Sequence, residues 1–180
     1  MKKILLAILL FAVFHANAQT SKETPLKKNE IKLDLFYLVS GIVNVSGVKI
    51  EYERLLNRRS SVGLMGFYGF AIQTKIQQQA LGFYRLHFIK RPKSLFFIES
   101  NIGLTHGMWM RQVGPSIFDL EPVYYTRLGS GVAVGWKFVI PQNGIVFDVY
   151  AGRGVIIAKD FGFWSEIKYP RLGICLGKRF

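Results

Sequence analysis

Leu128-Gly129-Ser130-Gly131-Val132-Ala133-Val134-Gly135-Trp136-Lys137-Phe138 is the stretch that decides the fold. Leu128, Val132, Val134, Trp136 and Phe138 fall on one side of a two-residue period, and Arg127, Gly129, Gly131, Ala133, Gly135 and Lys137 on the other. Successive side chains of a strand point to opposite faces, so this pattern describes a strand with one apolar face and one face of small and charged residues. A helix would recur every 3.6 residues and scatter both sets around its axis.

The same period returns along the chain. Ile31, Leu33, Leu35 and Tyr37 alternate with Lys32 and Asp34; Val48, Ile50 and Tyr52 alternate with Lys49, Glu51 and Glu53. Val62, Leu64, Tyr68 and Phe70 stand against Gly63, Met65, Phe67 and Gly69, while Tyr84, Leu86 and Phe88 oppose Arg85 and His87. Further on, Phe96, Ile98, Ile102 and Leu104 face away from Glu99, Asn101, Gly103 and Thr105. Ile145, Phe147 and Val149 alternate with Asp148 and Gly152, and Leu172, Ile174, Leu176 and Phe180 with Arg171, Gly173, Cys175, Gly177 and Arg179. With the opening stretch, this predicts eight strands of roughly ten residues, enough for a tilted strand to cross a bilayer.

The connections alternate in length. Leu55 to Arg59, Lys90 to Ser94 and Pro141 to Gly144 read as tight turns, the last carrying the Asn143-Gly144 pair that a type I′ hairpin favours. Ile72 to Gln78, Met108 to Val123 and Ile156 to Glu166 read as longer loops, and Gly41 to Val45 as a short connection against the trend. Short turns at one end and longer loops at the other are the habit of outer-membrane barrels, whose short side faces the periplasm. The expected fold is therefore all-β, an eight-stranded antiparallel up-and-down transmembrane β-barrel.

Alternation alone does not say which face looks outward. The aromatics do: Tyr52, Phe88, Phe96, Trp136, Phe138, Phe147 and Phe180 all belong to the apolar faces and all lie near a short turn or the C-terminus. Rings gathered at one height suit a lipid interface. The opposite face then lines a lumen, with Lys32, Lys49, Arg85, His87, Arg127, Lys137 and Arg171 set against Asp34, Glu51, Glu53, Glu99 and Asp148. Mixed signs there suit a plugged interior in which each charge finds a partner. The glycines on the same faces leave room for the long side chains opposite.

The first residues read as an export signal: Lys2 and Lys3, the apolar run Ile4 to Phe14, then Ala16-Asn17-Ala18 as a cleavage site. The apolar run is too short for a spanning helix. The expected organisation is a signal peptide over 1–18, a periplasmic N-terminal segment over 19–30 and a barrel domain over 31–180. The formal net charge is +13. Its dispersal and the export signal argue against nucleic acid and favour acidic lipid head groups or polyanionic sugars. The lone Cys175 excludes an intramolecular disulfide and an all-Cys metal site.

Little chemistry is legible. A lipid-acting enzyme would combine a serine, a histidine and an acid at a groove. Beyond the signal the histidines are His87 and His106, of which His87 sits on the lumen face and His106 has no adjacent serine. Gly129-Ser130-Gly131 lacks the lysine and helix of a phosphate loop. Catalytic residues, cofactors and metal ligands are not expected. The apolar loop with Met108, Trp109, Met110 and Phe118 could dock a partner or fold over the barrel mouth.

Two motifs carry a family resemblance. The chain ends in Gly177-Lys178-Arg179-Phe180, and a terminal aromatic after an alternating strand resembles the signal read by the outer-membrane barrel assembly machinery. Ile31-Lys32-Leu33-Asp34-Leu35, with Ile50 to Asn57 and Ser61-Val62-Gly63-Leu64, resembles a family of small Gram-negative outer-membrane barrels of unknown function, similar in architecture to OmpA-type and OmpX-type barrels. The resemblance implies outer-membrane localisation and, as partners, outer-membrane lipid, the assembly machinery during insertion and an unidentified surface or periplasmic protein. It does not carry over a peptidoglycan-anchoring role. A non-enzymatic structural or surface-interaction role is the expectation. A lipid-modifying barrel enzyme and a secreted soluble barrel binding a small apolar ligand are the alternatives.

Overall fold

In a computed structural model, residues 28–39, 47–70, 76–91, 94–112, 120–140, 142–156 and 167–180 are described. The signal peptide expected over 1–18 and most of the segment expected over 19–30 lie outside them, as does Phe118. Eight strands follow one another around a closed ring: β1 Asn29–Asp34, β2 Gly47–Leu55, β3 Ser60–Gly69, β4 Gln78–Arg91, β5 Ser94–Gln112, β6 Leu120–Ile140, β7 Ile145–Ile156 and β8 Ile167–Arg179. Each pairs antiparallel with its neighbour, and β1 closes the ring against β8 through Glu30↔Arg179, Lys32↔Gly177 and Asp34↔Cys175. Closure satisfies the backbone groups that an open sheet would leave along its two edges. Among the described residues no helix is long and apolar enough to cross a membrane.

The alternation read from the sequence becomes the two sides of the wall. Ile50, Leu64, Ile102, Leu104, Val132 and Val134 are exposed on the outside, while Lys32, Glu51, Arg85, Glu99, Lys137 and Asp148 are fully buried within. Outward and inward positions are thus reversed relative to a water-soluble barrel.

Four local expectations change. The first strand was expected to run from Ile31 to Tyr37, but β1 opens at Asn29 and stops at Asp34, so Asn29 and Glu30 belong to the barrel. Asp34 turns the chain: its Oδ1 accepts from the N–H of Phe36 at 2.9 Å and from that of Ile174 at 3.2 Å. The five residues that follow form a short helix, α1 (Leu35–Val39), so Leu35 and Tyr37 leave the apolar strand face. Tyr37 packs instead on inward-facing Phe67, ring centroids 5.1 Å apart. The β1–β2 connection therefore spans residues 35–46 and is not the short exception.

The connection expected over Met108 to Val123 is largely strand. β5 and β6 remain paired as far as Gln112↔Leu120, because backbone hydrogen bonds continue a hairpin regardless of side-chain alternation. Met108, Trp109 and Met110 are strand residues and not a loop, and Met108 is buried. At the β6–β7 turn, Gly144 takes the expected positive φ of 69°, which favours glycine. Its N–H bonds to the carbonyl of Ile140 at 2.9 Å, and the last paired residues are Ile140 and Ile145, so the loop is longer than the two residues of a type I′ hairpin.

The connections divide by end as read from the sequence. At one end Leu55 is followed by β3 at Ser60, Arg91 by β5 at Ser94 and Ile140 by β7 at Ile145. At the other end the gaps are residues 35–46, 70–77, 113–119 and 157–166.

Candidate functional site

The lumen holds an ion network built from inward positions of seven strands. Arg85, from the middle of β4, is its hub. Nη1 donates to Glu53 Oε2 at 2.6 Å and Asp148 Oδ2 at 2.9 Å, Nη2 to Glu51 Oε2 at 3.1 Å, and Nε to Glu99 Oε2 at 2.9 Å. Only a planar guanidinium presents enough fixed donors to serve so many carboxylates at once. Its carbon also lies 4.4 Å from the centre of the Phe83 ring and 4.5 Å from that of Phe97. These cation–π contacts place the charge between ring faces where water is excluded.

Arg171 of β8 makes a second centre, donating to Glu99 Oε1 at 2.9 Å, Glu51 Oε1 at 3.1 Å and the hydroxyl of Tyr150 at 2.9 Å. Tyr150 in turn donates to Glu51. Lys32 bridges Glu53 and Asp148, both at 2.5 Å, and Lys137 bridges Glu53 at 2.6 Å and Glu30 at 2.8 Å. Lys49 pairs with Asp34 and donates to the carbonyl of Leu172 at 2.7 Å. Arg179 closes on Glu30.

The cations Lys32, Lys49, Arg85, Lys137, Arg171 and Arg179 can thus be matched one for one with the carboxylates Asp148, Asp34, Glu99, Glu53, Glu51 and Glu30. Ions removed from water need such partners, since an isolated buried charge is destabilised by several kcal/mol, in order of magnitude. The small wall residues make this density possible. A Cβ added at Gly173 would stand 2.3 Å from the Tyr150 ring and 2.6 Å from Asp34 Oδ2; one at Gly135 would stand 2.5 Å from Tyr150 Cβ.

All the predicted lumen residues face inward. Arg127 is half-buried and nearer the loop end, two residues from Gly129, which pairs with Ile156, the last described residue of β7. His87 is buried with Nε2 3.1 Å from Ser61 Oγ, and its ring packs edge-on to Phe97. Ser61 was not singled out from the sequence, yet it completes a serine, histidine and acid cluster with Glu53. The arrangement is not a relay: Ser61 donates to Glu53 at 2.6 Å, whereas a relay needs the acid on the far nitrogen of the histidine. Ser61 and Glu53 are also fully buried. His106 lies apart, with Nδ1 2.8 Å from Thr126 Oγ1 and its ring stacked on Tyr124. Among the described residues no group of His, Cys, Asp and Glu could hold a metal ion.

Glu30, Tyr150 and Arg179 are the network members absent from the sequence-derived set. Parity alone could have found them, because Glu30 lies two residues before Lys32, Tyr150 two after Asp148, and Arg179 eight after Arg171. Sequence reading also missed that part of the lumen is apolar. Met65, Phe67, Leu81 and Phe83 form a buried cluster toward the loop end, with Tyr37 of α1 packed against it.

Outside, the seven predicted aromatics all lie on the outward face. Tyr52, Phe88, Trp136, Phe138 and Phe180 are exposed; Phe96 and Phe147 are partly covered by Trp136 and Phe138, at ring distances of 4.8 and 6.2 Å. Cross-strand register places Phe96 beside Trp136 and Phe138 beside Phe147. A second exposed aromatic set, Tyr68, Phe70 and Tyr124, stands toward the opposite end and was not read from the sequence. No family model, curated protein or solved structure matches this chain.

Proposed function

We propose that this chain is an integral outer-membrane β-barrel protein of a Gram-negative cell, non-enzymatic, with a structural or surface-interaction role and a plugged, charge-lined lumen. One observation carries the reading: a closed ring keeps its ionised side chains inside while its large apolar residues cover the outside. In water, this inversion would leave a continuous hydrocarbon surface exposed, far beyond what monomeric soluble proteins carry. In a bilayer the same surface is solvated by acyl chains, and ring closure leaves the spanning backbone paired. The two aromatic sets fit the two head-group layers.

The paired, buried network supports a barrel that does not pass solutes. The surface role rests on the β5–β6 hairpin. β4 last pairs with it at Gln78↔His106 and β7 at Gly129↔Ile156, yet the hairpin continues to Gln112↔Leu120. The described part of the hairpin thus rises above the described ends of its neighbours, where a projecting surface is placed to meet a partner.

The test is whether the folded protein stays with outer-membrane vesicles after a carbonate wash and shows heat-modifiable gel migration. Recovery from the periplasm as a detergent-free monomer would overturn the reading.

A further inference from the structure

The outer wall of β4–β7 carries a groove of about 840 Å³ that the lumen network does not explain. Its outward side chains are small where the wall is lowest, at Gly82, Ser100 and Ser130, and Tyr84 and Val132 rise beside them. The outer side of Gly82 is open: a Cβ there would meet nothing nearer than 3.8 Å. On the face that the proposed function assigns to hydrocarbon, such a recess is filled by an acyl chain or left as a void, and voids forfeit contact energy.

Arg153 stands at the β7 side of this groove, exposed, opposite Val132 on β6 and Pro170 on β8. No acidic side chain among the described residues pairs with it. Lys168 is exposed on β8 one diagonal step away, since its direct partner is Val155. Counted from the turn-side strand ends, Arg153 is as far up β7 as Tyr68 is up β3. The two cations therefore reach the level of the second aromatic set, at the end with the longer connections. A cation on a lipid-facing wall is destabilising unless it meets head groups or an anion.

We propose that this groove seats lipid A, the phosphorylated and acylated glycolipid of the outer leaflet. Arg153 and Lys168 take one of its phosphates and the recess over Gly82, Ser100 and Ser130 takes an acyl chain. The guanidinium supplies paired donors matched to phosphate oxygens, and Lys168 adds a point charge. The inference rests on the membrane reading, because only a bilayer brings this lipid to this wall, and the long-connection end selects the outer leaflet.

The experiment uses the full chain. Insertion into liposomes is measured first, and then native mass spectrometry from detergent micelles compares lipid A, dephosphorylated lipid A and phosphatidylglycerol. Lipid A is expected to bind about tenfold more tightly than its dephosphorylated form, the factor a charge-assisted pair provides, and more tightly than phosphatidylglycerol, whose diester carries a single charge for the two cations. Arg153→Gln should remove about that tenfold, and Gly82→Leu, which fills the recess without crowding the wall, should weaken binding while heat-modifiable migration is kept. Failure to insert overturns both readings. Insertion with equal binding of the three lipids, or with both variants unchanged, overturns the lipid site alone.

Discussion

Two halves of the same lumen are held together by different physics. Toward the short turns, Lys32, Glu53, Arg85, Lys137 and Asp148 form a lattice of ions, each satisfied by several others. Toward the loops, Met65, Phe67, Leu81 and Phe83 form an apolar cluster beside the Lys49–Asp34 pair, and Tyr37 of α1 packs against both. The boundary runs through Arg85 itself, whose guanidinium bonds to carboxylates and lies against Phe83 and Phe97. Hydrophobic contacts are non-directional, so the apolar half tolerates exchange at constant volume. The ionic half does not, because removing one member strands the charges it served.

Arg85→Ala should cut deepest. Glu51, Glu53, Glu99 and Asp148 would lose a shared cation in a place that water does not reach, at a cost of about 3 to 5 kcal/mol. Urea unfolding in micelles measures it, and a cost below 1.5 kcal/mol (~, the ceiling for a tolerated apolar exchange) would erase the contrast between the halves. Leu81→Ala follows at about 3 kcal/mol, from lost burial and the cavity left behind.

Conservative exchange separates the halves more sharply. Leu81→Met should cost less than about 1.5 kcal/mol, since it conserves volume. Arg85→Lys keeps the charge but loses the fork, and should cost clearly more. Equal midpoints of unfolding for these two variants would mean that charge alone holds the network.

Glycines test the crowding of the lumen against the openness of the wall. At Gly135 a Cβ would meet Tyr150 and Phe97 within 2.7 Å, so Gly135→Val should destabilise by about 1 to 3 kcal/mol. At outward-facing Gly66 a Cβ meets nothing within 4 Å, and Gly66→Val should stay within about 0.5 kcal/mol of the parent. The same pair of variants, compared by thermal gel shift, would reverse order if the small residues faced outward for lipid packing alone. Smallest of all, raising NaCl from low to high concentration should leave the unfolding midpoint essentially unmoved, because the pairs are buried and salt screens them little. A steep fall would show ions reaching the lumen.

The strand count, the sidedness of the wall and most of the ionic set were legible in the chain. Lys49, Glu51 and Glu53 share a parity that only strand structure explains, and Tyr52 beside them fixes the opposite face as apolar. The ends of elements were less legible. Nothing in Leu35-Phe36-Tyr37 breaks an apolar strand pattern, and it became a helix because Asp34 caps the turn and Phe67, far along the chain, offers Tyr37 a packing surface. The overhang of β5 and β6 was hidden for a related reason: beyond the wall, hairpin pairing needs no alternation.

Period-two patterning and charge placement, which are local, determined by themselves that the chain makes eight two-faced strands with ions on one side. Which carboxylate meets which cation was decided only in three dimensions. Glu30 finds Lys137, Asp34 finds Lys49, and Ser61 comes to lie between Glu53 and His87, because ring closure and register bring distant inward positions to one level. A strand's parity is written in its neighbours along the chain, whereas the partner of a buried ion depends on the shape of the closed ring.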